Sequence, residues 1–102
     1  EVIIPFEKYI GYNLSYHIFP ILLPRFVTRK KLIEYLYKRK MQTGIHYRPI
    51  HKMKFYYNKL NKLPVIDKIY NNILSLPIYP KLKFFEQKLM VKEINNFIKK
   101  IR

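Results

Sequence analysis

The side chains best suited to chemistry lie in one short segment, Gly44 to His51, which reads Gly-Ile-His-Tyr-Arg-Pro-Ile-His. His46 and His51 are five residues apart, with Pro49 between them. Zinc usually has three or four protein ligands. Because the sequence has no cysteine, only His17 remains as a third ligand, and we expect no metal site. Proton transfer by either histidine would need a nucleophile or cofactor that the sequence does not supply.

A second segment with a reactive group runs from Ser75 to Pro80. Ser75 lacks the Gly-x-Ser-x-Gly pattern that exposes a nucleophilic serine, and no acid–base partner lies close to it in sequence. We therefore interpret this segment as architecture. Pro77 and Pro80 are expected to fix a turn between a strand and the last helix.

The basic charge is the strongest bulk property of the chain, since 21 basic and 6 acidic residues give a net charge of +15. Such a charge indicates nucleic acid, an anionic membrane or a polyanionic ligand as partner. A different cause is also available. Lys, Ile, Asn and Tyr, whose codons are rich in A and T, make up 48 of the 102 residues. Codon bias and selection for a partner both remain open as explanations.

Basic and aromatic residues alternate between Lys52 and Lys62, with Phe55, Tyr56 and Tyr57 at the centre. This pattern resembles a groove for single-stranded nucleic acid, in which rings stack on bases. No RNP motif, zinc-finger spacing or helix-turn-helix pattern accompanies it. The competing interpretation is a loop whose aromatic side chains pack on another domain. A non-catalytic module that binds RNA or DNA is the alternative function.

Length and composition limit the class of protein. A chain of 102 residues is expected to form one domain, residues 1–102. The longest apolar run, Ile18 to Leu23, contains Pro20 and is far shorter than the roughly 20 residues that span a bilayer. No membrane partner is expected. With no cysteine to indicate an oxidising compartment, the cytoplasm is the default location.

The apolar pattern predicts an α+β domain, a small and largely antiparallel sheet covered by helices. Strands are predicted at Val2 to Pro5, Tyr16 to Leu23, Ile45 to Tyr47 and Ser75 to Tyr79. Pro20 has no N–H group, so its strand needs an edge or a bulge at that point.

Three helices are predicted around these strands. The first begins after Thr28 as N-cap and runs to Lys40, and the last runs from Phe84 to Lys100. The second begins at Pro64 and has an apolar face of Val65, Ile66, Ile69, Tyr70, Ile73 and Leu74. The apolar stripe of the last helix, which is expected to pack on the sheet, contains Met90, Ile94, Phe97, Ile98 and Ile101.

Together these motifs resemble one enzyme family. The runs Met41-Gln42-Thr43-Gly44-Ile45-His46-Tyr47 and Ser75-Leu76-Pro77-Ile78-Tyr79-Pro80 are similar to the carboxyl-terminal signature of the DegT/DnrJ/StrS sugar-nucleotide aminotransferases. The other resembling runs, in the order of the family, are Ser15 to Phe19, Leu32 to Leu36 and Leu63 to Tyr70.

The resemblance implies the small carboxyl-terminal domain of a longer enzyme with the aspartate-aminotransferase-like fold. Family members use pyridoxal phosphate (PLP), and the lysine and aspartate that hold PLP belong to a large domain that this chain does not match. The implied reaction moves an amino group from an amino acid such as glutamate to a keto-sugar nucleotide, in cell-surface polysaccharide or glycan biosynthesis. The implied partners are the large domain and a second subunit of a homodimer, and nucleic acid is not expected.

The resemblance also implies roles for individual residues. In these enzymes the segment that matches His46 to His51 faces the cleft of the nucleotide sugar, so His46, Tyr47, Arg48 and His51 are expected to bind substrate. No catalytic, cofactor-binding or metal-binding residue is expected in the chain itself. One departure from the family pattern is Lys83, which stands where a helix-capping Thr is usual. The last helix is therefore expected to lack that side-chain acceptor.

Overall fold

The computed structural model describes residues 1–5, 7–9, 11–13, 15–57 and 62–102. These ranges contain two strands, β1 (Phe19–Leu22) and β2 (Ile73–Leu76), and three helices, α1 (Arg29–Tyr37), α2 (Pro64–Asn72) and α3 (Phe84–Ile101). The strands pair antiparallel, and side chains of α1 and α3 form a core with them. The predicted α+β class, a small antiparallel sheet covered by helices, is confirmed.

The sheet is extended on each side by one bridging residue. Leu22 of β1 pairs with Ile3, and Ser75 of β2 pairs with Gly44, both antiparallel. The N–H and C=O of Ser75 both bond to Gly44, at 2.8 and 2.9 Å. Pro20 lies opposite Ser75 in the paired strands. Because both backbone groups of Ser75 point to Gly44, this pair has no hydrogen bond between its members, and Pro20 is not required to donate one to Ser75. This register is why a proline fits within β1.

The predicted strand from Val2 to Pro5 is wrong, because only Ile3 pairs with β1 among the described residues. Ile3 exchanges hydrogen bonds of 3.0 and 2.9 Å with Leu22. The next residue of β1 that faces this edge is Pro20, two residues earlier. Since proline has no N–H to donate, the ladder ends after one pair.

The other strand predictions need correction as well. β1 begins at Phe19 instead of Tyr16, and Ile45 to Tyr47 form no strand, since Gly44 alone bridges to β2. β2 covers Ile73–Leu76, so the predicted strand from Ser75 to Tyr79 ends before Pro77.

Ile73 and Leu74 belong to β2 and not to the second helix, against the prediction. Leu74 is fully buried opposite Ile21. The burial of this pair outweighs continuation of the helical periodicity.

The core combines both strands with two helices. Leu32 and Leu36 of α1 and Leu74 of β2 are completely buried. The predicted stripe of α3 is confirmed for three residues, which are also buried: Met90, Ile94 and Phe97. Ile98 packs partly against this core, whereas Ile101 is 42% exposed, so its predicted packing is wrong. α3 ends one residue beyond the predicted Lys100.

In the described part of the chain, none of the three helices is capped by the side chain of its own N-cap residue. Thr28 is the N-cap of α1 as predicted, but its side chain makes no capping bond within the described residues. At α3 the N-cap is Lys83, whose side chain has no hydrogen-bond acceptor for the first N–H groups of the helix. The carboxylate of Glu86 compensates by accepting a 2.7 Å bond from the Lys83 N–H. The prediction that α3 lacks a side-chain acceptor at its N-cap is thus confirmed.

A Schellman motif ends α1 and directs the chain toward the sheet. The N–H of Met41 donates to the Leu36 carbonyl at 3.0 Å, and the N–H of Lys40 donates to the Tyr37 carbonyl at 2.9 Å. Lys40 occupies the left-handed position of this motif, with φ of 60°. Met41 then packs against the core, so Gly44 arrives beside Ser75 three residues later.

Substitution of Lys40 by glycine should stabilise the protein, because glycine adopts the left-handed conformation without the Cβ clash that a lysine has. The free energy of unfolding should rise by about 0.5 to 1 kcal/mol. Lys38→Gly is the matched control. Lys38 has φ of −58°, so glycine there should lower stability by a similar amount. Thermal melting of both variants checks the prediction, and equal destabilisation would contradict it.

Candidate functional site

A surface groove of about 780 Å³ lies along the Gly44 edge of the sheet. The residues that line it come from four stretches of chain, the last of which runs into α3: residues 17–18, 39–47, 75–79 and 82–90. The Schellman motif and the Gly44–Ser75 bridge position the second stretch, and β2 positions the third. The walls are mixed, with apolar side chains such as Leu76 and Met90 beside histidines and hydroxyls.

His46 lines this groove and packs directly on Gly44. An ideal Cβ on Gly44 would lie 2.6 Å from Cε1 of the imidazole, 3.3 Å from Nε2 and 3.4 Å from Nδ1. The backbone of Gly44 is not left-handed, so any residue could adopt its conformation. Glycine is needed here because the imidazole occupies the space that a side chain would take.

Three buried polar atoms at this groove lack a hydrogen-bond partner among the described residues: Thr43 Oγ1, His46 Nδ1 and Ser75 Oγ. Ser75 is only 3% exposed. A buried polar group without a partner costs about 1 to 3 kcal/mol, so most are satisfied in native proteins. Three such atoms around one groove mark it as a site where polar interactions remain to be completed.

Tyr47 and His17 meet at the groove. The Tyr47 hydroxyl lies 3.4 Å from Nε2 of His17, a long contact between exposed side chains. The rings of Tyr47 and His46 are in contact edge to face, with centroids 5.0 Å apart. The groove therefore combines two imidazoles and a phenol, all of which can bond to substrate hydroxyls.

A hydrogen-bonded cluster fixes Arg39 in the groove wall. Its guanidinium lies 3.6 Å from the centroid of the Tyr35 ring, and its Nε is 2.8 Å from the Glu93 carboxylate. Tyr35 also donates to this carboxylate, at 2.7 Å. The Tyr35 hydroxyl, with Arg39 as a further cause, lowers the pKa of Glu93, and the bond to Glu93 raises the pKa of Tyr35. The cluster joins α1 to α3.

The remaining predicted site residues do not line this groove. Arg48 is exposed and donates from Nη2 to the Lys52 carbonyl at 2.7 Å. His51 contacts Asp67 of α2 through Nε2 at 2.9 Å and lines a separate cavity of about 450 Å³. Lys52 lies 2.9 Å from the same carboxylate. The bond from Lys52, followed by the one from His51, lowers the pKa of Asp67.

The structure thus brings together His46 and Tyr47 of the four predicted residues, and adds neighbours that sequence reasoning did not assign to a site. The sequence offers His17 only as a third metal ligand, and Ser75 only as a nucleophile without a partner or as part of a structural turn. One signal was available for Ser75, since a serine within the apolar run Ile-Leu-Ser-Leu is unusual for a buried strand. Nothing comparable in the sequence points to Arg39.

Comparison with known proteins identifies the same family as the sequence motifs do. The model of the DegT/DnrJ/EryC1/StrS aminotransferase family matches residues 2–95. The chain is 38% identical over 82 residues to UDP-4-amino-4,6-dideoxy-N-acetyl-beta-L-altrosamine transaminase from Helicobacter pylori, covering 76% of this chain and 22% of that protein. It is 30% identical over 83 residues to dTDP-3-amino-3,6-dideoxy-alpha-D-galactopyranose transaminase from Aneurinibacillus thermoaerophilus, covering 79% and 23%.

A solved structure shows the same fold. An aminotransferase from Streptoalloteichus hindustanus superposes with a TM-score of 0.85 at 20% identity, covering 99% of this chain and 27% of that one. The chain spans about a quarter of the length of these relatives.

Gly44→Ala should displace the His46 ring, because a real Cβ cannot remain 2.6 Å from a ring carbon. The resonance of the His46 Cε1 proton should shift, and a crystal structure of the variant should show the imidazole moved off the sheet edge. Gly11→Ala is the control, since nothing lies within 4 Å of a Cβ there. That variant is strained by its φ of 105° but should leave His46 unchanged. An unmoved ring in Gly44→Ala would contradict the packing described.

Proposed function

Because the chain belongs to the DegT/DnrJ/EryC1/StrS aminotransferase family, we propose that residues 1–102 are the carboxyl-terminal domain of a PLP-dependent sugar-nucleotide aminotransferase. The whole enzyme moves an amino group from an amino acid, glutamate in our proposal, to a keto-sugar nucleotide. The observation that carries this proposal is the family match over residues 2–95, supported by the two sugar transaminases among its relatives. We place the reaction in cell-surface polysaccharide or glycan biosynthesis in the cytoplasm.

The residues of this chain do not themselves fit PLP. The cofactor needs a desolvated lysine for its imine and an aspartate as the partner of its pyridine nitrogen. Lys40, which lines the groove, is exposed. Asp67 is the single aspartate of the sequence, and it bonds to His51 and Lys52 away from the groove lining. Aminotransferases of this family are PLP-dependent, and we propose that the cofactor binds to the large domain.

The exposed apolar surface of α2 is consistent with contact to a further domain. Its apolar residues Val65, Ile66 and Ile69 are all exposed, and none of the residues of α2 is buried in the described part of the chain. Phe55 is 90% exposed as well. Large exposed apolar patches mark contact surfaces. We propose that the large domain, and a second subunit in a homodimer, cover this surface. Among the described helices, none is long and apolar enough to cross a membrane.

In the proposed enzyme, His46, Tyr47, Arg48 and His51 bind the nucleotide sugar. His46 and Tyr47 line the larger groove, where imidazole and phenol can bond to sugar hydroxyls. Arg48 is exposed and donates to Lys52 from one nitrogen, which leaves other N–H groups of its planar fork for a diphosphate. His51 lies beside the smaller cavity, five residues further along the same loop.

No observation favours the alternative nucleic-acid module over this proposal. The exposed aromatic side chains between Lys52 and Tyr57 fit a domain contact as well as a base-stacking surface.

The full-length protein, supplied with PLP, glutamate and a UDP-linked 4-keto-sugar, should form 2-oxoglutarate and an amino sugar nucleotide. Residues 1–102 alone should form neither, because they lack a site for the cofactor. Coupled assay of 2-oxoglutarate and mass spectrometry of the sugar product check both statements. A specific PLP adduct, trapped by borohydride on one lysine of the isolated chain, would contradict the proposal.

Arg48→Ala in the full-length enzyme should raise the KM for the sugar nucleotide much more than it lowers kcat, because a diphosphate contact is similar in ground and transition states. The loss should be about 1.5 to 3 kcal/mol, the value of a hydrogen bond to a charged group. Arg25→Ala, at another exposed arginine, is the control. His46→Ala should lower kcat as well. An unchanged KM in Arg48→Ala would remove Arg48 from the site.

A further inference from the structure

One carboxylate carries the polar contacts between residues 48–56 and the rest of the domain. Oδ1 of Asp67 lies 2.9 Å from Nε2 of His51 and 2.9 Å from Nζ of Lys52. Among the described residues, the other hydrogen bonds of residues 48–56 stay within that segment. Asp67 is therefore the polar attachment point of the segment that contains Arg48 and His51.

The helix that presents Asp67 is itself attached to the domain at its other end. Asp67 lies in the first turn of α2. The carbonyl of Asn72, the last residue of α2, accepts a 2.9 Å bond from the N–H of Leu23. Arg29 donates to the carbonyl of Ile73, the next residue, at 3.0 Å. α2 is thus held by contacts that do not involve residues 48–56, so it can serve as a fixed support for them.

The bond to Asp67 determines the tautomer of His51. The bond from Lys52, followed by the one from His51, lowers the pKa of Asp67, so the carboxylate is ionised at neutral pH. An ionised carboxylate only accepts hydrogen bonds, and therefore Nε2 of His51 must carry the donated proton. The side chain of His51 is 11% exposed. A neutral His51 ring is accordingly held with its proton on Nε2, which leaves Nδ1 as an acceptor.

Lys52 extends the effect of this carboxylate to Arg48. The ammonium of Lys52 contacts α2 twice, through Asp67 and through the ring of Tyr70, whose centroid is 5.6 Å away. The backbone carbonyl of Lys52 accepts the 2.7 Å bond from Nη2 of Arg48. An arginine held in one orientation before binding loses less side-chain entropy when a ligand arrives. The attachment of Lys52 therefore favours ligand binding by Arg48.

We infer that Asp67 is a positioning residue for the nucleotide-sugar site: its carboxylate holds His51 and Lys52 in the orientation that binds substrate. Arg48 is held in turn through the Lys52 carbonyl. Asp67 itself contacts no substrate. The role in substrate binding rests on the proposed function, whereas the tautomer of His51 does not.

The tautomer is tested by NMR of the full-length protein labelled with ¹⁵N in histidine, at a pH where the ring is neutral. His51 is assigned by loss of its signals in His51→Gln. Wild-type protein should show the proton on Nε2. Asp67→Ala should give a mixture of tautomers, and Asp67→Glu, which keeps a carboxylate, should retain the wild-type pattern. Glu34→Ala, which removes an exposed carboxylate from α1, is the control.

Three spectroscopic outcomes overturn the inference. The first is a neutral wild-type ring with its proton on Nδ1, which needs no variant and so covers the case of an Asp67 variant that fails to fold. The second is an unchanged His51 spectrum in Asp67→Ala. The third is an equal change in Asp67→Ala and Asp67→Glu, which would indicate packing of the helix instead of the carboxylate.

Kinetics of the full-length enzyme test the role in binding. Asp67→Ala should raise the KM for the keto-sugar nucleotide by about two- to tenfold, the effect of one hydrogen bond. The kcat and the KM for glutamate should stay close to those of the wild type, as in Glu34→Ala, and Asp67→Glu should recover the KM. A general loss of structure would instead change all three constants.

A double-mutant cycle tests the path through Lys52. If Asp67 acts through Arg48, the KM increase in the double variant of Asp67→Ala and Arg48→Ala should be smaller than the product of the two single increases. An increase equal to that product overturns the inference. So does an unchanged KM for the sugar nucleotide in Asp67→Ala, which leaves the proposed function standing if the enzyme transaminates. A full-length protein that does not transaminate at all refutes the proposed function, and with it the role of Asp67 in substrate binding.

Discussion

The pairing of Gly44 with Ser75 is the constraint on which the site depends. Two backbone hydrogen bonds of 2.8 and 2.9 Å attach the segment after α1 to the edge of β2. They place His46 over the sheet, where the missing side chain of Gly44 leaves space for its ring. Ser75 directs both of its backbone groups to Gly44. It therefore needs no hydrogen bond from Pro20, its partner in β1, which has no N–H to donate. One residue pair therefore accounts both for the place of Pro20 in the sheet and for the position of His46 in the groove.

The core supports this edge through the helices. Tyr35 of α1 and Arg39, which follows the end of α1, converge on Glu93 of α3, and the Tyr35 ring packs on Phe97 with centroids 5.0 Å apart. α1 is also attached at its other end. Arg29 donates to the carbonyls of Tyr70 and Ile73 where α2 ends, with the bond to Ile73 at 3.0 Å. A cation at the carboxyl end of a helix is favourable, whereas Arg29 at the start of its own helix is not. The long side chain of Arg29 places its charge at the carboxyl end of α2, away from the start of α1.

Much of the fold could be predicted from local signals, and the errors share one cause. Helical periodicity and Pro64 located α2 and α3 within a residue or two, except where Ile73 and Leu74 leave α2 to pair with β1. That change depends on partners that are more than 50 residues away in sequence, which a local pattern cannot reveal. The site shows the same limit. His46 and Tyr47 could be identified from the motif, whereas Ser75 borders the groove beside its partner Gly44, and His17 reaches the groove from a position two residues before β1.

Pro20 has a consequence for how this chain behaves among many copies of itself. A sequence with 15 isoleucines and 10 tyrosines is rich in residues that favour extended pairing between molecules. The outer edge of β1 is where another strand would add to the sheet. Pro20 interrupts the row of donors there, and Ile3 already occupies the position at Leu22. The proline that complicates prediction of the strand thus also prevents the sheet from serving as a template for fibrous growth on that side.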